Sequence, residues 1–107
     1  VAMLDFQSFA DYQQEDQVLN QIMIELRSGR GDQSKYKLQN GILYHWIKER
    51  WKVVIPSHKV QDLIKEVHEE FLHIGVRKTL ALVSESFTYK KLRSRTRSII
   101  ASCQVCQ

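Results

Sequence analysis

Residues 68–79 read HEEFLHIGVRKT, and residues 103–107 read CQVCQ. They contain two histidines and both cysteines of the chain, in the pattern H-x4-H-x29-C-x2-C. Whether these are one site or four unrelated side chains decides how the C-terminal half folds. A C-x2-C pair serves as a redox dithiol, a strained disulfide or half of a metal site. A zinc ion takes four donors, imidazole nitrogen or thiolate, in a tetrahedron. A short Cys-x-x-Cys loop brings two sulfurs within reach of one ion. The histidines set a stricter condition, because residues five apart on a continuous helix diverge by about 140°. They converge only if the helix ends between them, and Gly75 with the non-periodic run FLHIG marks such an end. The 29-residue gap accommodates a helix, a turn and a second helix, enough to return the cysteines to the histidines. The bland alternative makes the histidines ordinary polar residues and the cysteines small core hydrophobes. The four residues together favour one zinc on His68, His73, Cys103 and Cys106. His45 and His58 have no such partners.

Working outward, Ser57 is placed to cap a helix over about 58–70, with Val60, Leu63, Ile64 and Val67 as its apolar stripe. VRKTLALVSES follows as a second helix, with Val76, Leu80 and Val83 inward. A third covers about 90–101, with Leu92, Thr96, Ile99 and Ile100 on one side and Cys103 continuing that stripe. Upstream, Tyr12, Leu19, Ile22, Met23 and Leu26 lie on one face of a single amphipathic helix over 8–28, with acids and amides opposite. SGRGDQS is a loop. KYKLQNGILYHW is a hairpin, since Asn40-Gly41 suits a turn needing positive φ twice. RWKVVIP gives a third strand ended by Pro56. The expected fold class is α+β: a helix and a small three-stranded antiparallel sheet over residues 1–56, then a zinc-bound three-helix domain over 57–107. The first helix is expected to pack on the sheet residues Leu38, Ile42, Tyr44 and Val54.

The 107 residues suffice for one small domain or a domain with a subdomain, and a core of that size is often reinforced by metal. With 43% apolar and 26% charged residues the chain is of ordinary globular type. No apolar run approaches a membrane span, so no membrane partner is expected. The chain begins at Val1 and stops one residue after Cys106, and both ends are expected to be boundaries within a longer protein. The net charge of +4 is unevenly distributed. Residues 1–34 hold six acids against Arg27 and Arg30, whereas residues 74–107 hold seven cations against Glu85 alone. The cations are Arg77, Lys78, Lys90, Lys91, Arg93, Arg95 and Arg97. A basic end of this kind suits a polyanion such as DNA, and its bland reading is a solvated helix face.

The stretch HEEFLHIGVRKTLALVSESFTYKKLRSRTRSIIASCQVCQ resembles the HHCC zinc-binding N-terminal domain of gypsy-type LTR retrotransposon and retroviral integrases. QQEDQVLNQI, YKLQNGILYHW and KVVIPSHKVQDLIKEVHEEF resemble the extension that precedes that domain. Leu72 stands where many members carry a glycine, and Tyr89-Lys90 where a Trp-Pro pair is common. The resemblance implies a structural zinc and a separate downstream catalytic core, so no enzymatic activity is expected of this chain. It also implies weak contacts to element DNA ends, assembly with like or other integrase subunits, and a nuclear location. The alternative is a domesticated host module that kept the fold for dimerisation or for docking a host protein.

Overall fold

The computed structural model describes residues 6–105, with side chains from residue 8 onward. Cys106 therefore lies outside the described residues. Helices α1 (Phe6–Glu15) and α2 (Gln17–Arg27) lead into strands β1 (Tyr36–Gln39), β2 (Ile42–Ile47) and β3 (Arg50–Val54). A 3-10 turn (Ser57–Lys59) then opens α3 (Val60–Glu70), followed by α4 (Val76–Ser86), β4 (Phe87–Thr88) and α5 (Leu92–Ala101).

The single helix expected over 8–28 is two. Asp16 interrupts it with an extended backbone, and its Oδ1 accepts from the N–H groups of Val18 and Leu19, capping α2. The break lets the two helices serve opposite faces of the sheet. Phe9 on α1 packs with Ile42 and Val53 on one face. Leu19 and Met23 on α2 pack with Leu43, and against Leu38, Tyr36 and Val54, on the other. The expected landing surface had mixed the two faces, since Leu38 and Val54 alternate with Ile42 and Tyr44. Beyond the end of α2, Gly29 has φ of 79°, the left-handed closure that a side chain disfavours.

The sheet has four strands, not three, in the order β1-β2-β3-β4. The β1–β2 turn is Asn40-Gly41 as read, with φ of 54° and 78°. The β2–β3 turn puts Lys48 and Glu49 at φ 51° and 64°, a similar turn made without its favoured residues. β4 pairs parallel to β3, Val53 with Phe87 and Val54 with Thr88, so the C-terminal half supplies the sheet's last strand. Beyond Tyr44 and Val53 the β2–β3 ladder stops. There the buried Gln13 amide inserts: Nε2 donates to the carbonyls of Leu43 and Val54, and Oε1 accepts from Leu43 N–H. Gln13 thus belongs to the core rather than to a polar outer face.

The three C-terminal helices share one core of Val60, Leu63, Ile64, Val83, Leu92 and Ile99, joined by Ile55 at the end of the sheet. Tyr12 from α1 and Phe87 from β4 pack against it. Ser57 does not cap α3. Pro56 precedes the 3-10 turn, neither that turn nor α3 has a side-chain cap at its start, and Ser57 N–H donates to Asp16 Oδ2. Asp16 thereby holds α2 and the entry to α3 together.

Candidate metal centre

α3 ends at Glu70, and the chain reverses through Leu72 and His73, both left-handed at φ 60° and 58°. This is the helix end that the histidine spacing requires. Gly75 was the sequence marker for it, yet Gly75 has φ −68° and simply precedes α4. The reversal is carried by two side-chain-bearing residues instead. His73 N–H donates to the His68 carbonyl at 2.7 Å, which closes the turn and brings the two rings together. They sit edge to face, 89° apart, with centroids at 4.8 Å.

His68 is buried, and its Nδ1 lies 2.7 Å from the Ile74 carbonyl. A carbonyl only accepts, so Nδ1 carries the proton and Nε2 presents its lone pair inward. Metal-binding histidines are commonly oriented by such a bond. Thr79, also buried, donates its hydroxyl to the same carbonyl at 3.3 Å. His68 Nε2 faces His73 Nδ1 at 3.2 Å, and His73 Nδ1 faces Cys103 Sγ at 3.5 Å. The three donor atoms lie within 4.8 Å of one another. α5 delivers Cys103 to this point by packing Leu92, Thr96, Ile99 and Ile100 inward.

Tetrahedral zinc, with bonds of about 2.05 Å to nitrogen and 2.3 Å to sulfur, sets its N···N edge at about 3.3 Å and its N···S edge at about 3.6 Å. The observed 3.2 and 3.5 Å match the two edges that meet at His73, and the third, between His68 and Cys103, lies within 4.8 Å, so Cys103 need shift only slightly to close the set. The donor set therefore fits zinc in size as well as in chemistry. Ile74 and Thr79, which orient His68, had no sequence signal: a carbonyl is present at every residue, and a helical threonine reads as neutral.

The remaining histidines are elsewhere. His45 stacks on Tyr36, and burial, with Lys35 nearby, lowers its pKa. His58 Nε2 sits 2.9 Å from Glu15 Oε1. Of the basic residues, Arg77, Lys78, Lys90, Lys91, Arg93 and Arg97 are exposed. Arg95 is half-buried, with a buried Nε that has no hydrogen-bond partner among the described residues. No described helix is long and apolar enough to cross a membrane.

Residues 55–107 match the model of the integrase zinc binding domain. Over 79 residues the chain is 30% identical to the Pro-Pol polyprotein of Feline foamy virus. That alignment covers 74% of this chain and 7% of the polyprotein, so the chain spans a small part of that relative. The matched region contains His68, His73, Cys103 and the α3–α5 core that brings them together, and residues 55–107 belong to the integrase zinc binding domain family.

Proposed function

We propose that this chain is the zinc-stabilised, non-catalytic module of a retroelement integrase. One ion on His68, His73, Cys103 and Cys106 would tie the end of α3 to the end of α5. The observation carrying this reading is the convergence of two imidazole nitrogens and one sulfur within 4.8 Å, two of the three separations being tetrahedral edge lengths, inside the region the family model matches. Cys106 is assigned by its C-x2-C spacing to Cys103. A zinc with four protein ligands has no position left for water or substrate, so its role is structural. Its consequence is to hold α4 and α5, with their exposed cations, in one arrangement. Those cations meet the phosphates of element DNA ends, and assembly with other integrase subunits in the nucleus supplies the remaining affinity.

Phosphate contacts give affinity without reading bases and weaken with salt as counterions are released. The test is a duplex-DNA titration at two salt concentrations, with wild type and with Arg93→Glu/Arg97→Glu. Arg95 is left intact because its half-buried side chain would confuse a folding defect with a binding one. Wild type should bind with a Kd of about micromolar or weaker at physiological salt, and more tightly at low salt. The double variant should lose roughly tenfold at low salt. If the two bind equally, the basic face is merely solvated, and a host protein-docking module becomes the better reading.

A further inference from the structure

Among the described residues, the sheet face that receives Phe9 is only half covered. Phe9 sits over Ile42 and Val53 with Tyr44 packed beside them, and the far end of the same face carries Trp46 and Trp51 with Lys37 beside them. Trp46 and Trp51 are directly opposed across β2 and β3, with centroids 5.1 Å apart and planes tilted by 57°. Trp46 is 44% exposed, a large aromatic surface left to solvent. Lys37 Nζ lies 4.9 Å from the Trp51 ring centroid and 5.4 Å from that of Tyr44, which sets a cation among the rings. Around them Lys37 lies on this face and Lys35 and Lys48 lie just beyond the ends of β1 and β2, with Glu49 the one acid of residues 35–52, while Arg50 and Lys52 alternate onto the other face. None of these side chains belongs to the zinc centre or to the basic faces of α4 and α5.

We propose that this face is a second nucleic-acid surface, which takes an unpaired strand by stacking its bases on Trp46 and Trp51 while Lys37, Lys35 and Lys48 hold the phosphates. The charge selects a polyanion. The rings select one whose flat π-faces are available, and a paired duplex keeps its bases stacked on each other. Stacking on exposed aromatics is tolerant of sequence, because every base has a π-face.

Trp46 and Trp51 are the only two tryptophans of the chain, so intrinsic fluorescence reports this face directly. The full chain with zinc added is titrated at low salt with an oligothymidylate, which cannot pair with itself, and with a duplex of equal length. The single strand should quench the tryptophans saturably and at lower concentration than the duplex. Trp46→Leu should weaken binding by roughly fivefold or more, as expected for losing one stacked base, with Trp51 still reporting. Lys37→Glu, a change at a strand surface, should weaken it as well, and the Arg93→Glu/Arg97→Glu protein should still be quenched by the single strand. Absence of quenching overturns the proposal, as does equal quenching by duplex or binding indifferent to both Trp46→Leu and Lys37→Glu. Quenching by an acidic peptide but not by the oligonucleotide also overturns it and makes the face a protein-docking site.

Discussion

Gln13 completes the ladder between β2 and β3 with three hydrogen bonds while wholly buried. Gln13→Leu would keep the volume but leave the Leu43 N–H and two carbonyls without partners. Each such loss costs about 1–3 kcal/mol, so the variant should lose roughly 3 kcal/mol or more in chemical denaturation. A loss below about 1 kcal/mol would show that water or strand relaxation replaces the amide. Leu72 is the opposite kind of residue, 88% exposed and left-handed, with strain and no packing in return. Leu72→Gly should raise the thermal stability of the zinc-loaded protein by roughly 0.5–1 kcal/mol and leave zinc affinity unchanged. A destabilised variant would mean that the exposed leucine makes an apolar contact with another molecule.

At the level of elements, Asp16 shows what the sequence could not disclose. A run of helix-forming residues on both sides hides the break, and one aspartate among amides looks like any solvent-facing residue. Only the tertiary arrangement, with helices needed on both faces of a sheet, makes it a cap. β4 was hidden for a related reason: two residues carry no alternation, and Phe87 reads equally as the tail of α4. By contrast, the stripes of α3 and α5 and the Asn40-Gly41 hairpin were legible, because periodicity and turn chemistry act locally. Burial pulls the Asp16 pKa upward, but hydrogen bonds from the N–H groups of Ser57, Leu19 and Val18, with His58 nearby, outweigh it and leave the carboxyl below its usual value. A depressed pKa stabilises the fold above the unfolded value of about 3.9, and that stability is lost as pH falls through the folded value. Asp16→Ala should cost about 1–2 kcal/mol at neutral pH, typical of a lost cap. The difference between the variant and wild type should shrink as acid titrations proceed below about pH 4. A difference that stays constant with pH would remove the carboxylate from the explanation.

For the whole molecule, the question is how far the two halves depend on one another. We propose that folding units divide near residue 56, with α1, α2 and the first three strands on one side and α3–α5 on the other. Zinc sites in small domains are worth on the order of 10 kcal/mol, more than a domain with a few kcal/mol of its own stability can forgo. Chelation, or Cys106→Ser, should therefore melt α3–α5 and lower the helical circular dichroism markedly. The cores around Leu19, Met23 and Leu43 and around Phe9 and Ile42 should keep amide-exchange protection. Because β4, Asp16 and Phe87 bridge the halves, the remaining unit should be less stable than in the zinc-loaded protein. Loss of all protection would make the chain one cooperative unit, and unchanged helicity after complete metal removal would contradict a structural zinc. The histidine–cysteine constellation was visible in the sequence because ligand chemistry and spacing are written there directly. The left-handed turn at Leu72 and His73 was not, because a leucine disfavours that conformation and the tertiary structure imposes it.

The central claim is a tetrahedral zinc on two imidazoles and two thiolates, and zinc K-edge X-ray absorption on the stoichiometrically loaded chain tests it most directly. The account predicts a four-coordinate ion with two nitrogen neighbours at about 2.0–2.1 Å and two sulfur neighbours at about 2.3 Å. In Cys106→Ser one sulfur should disappear from that shell. A shell of oxygen and nitrogen alone, or two sulfurs retained in the variant, would contradict it.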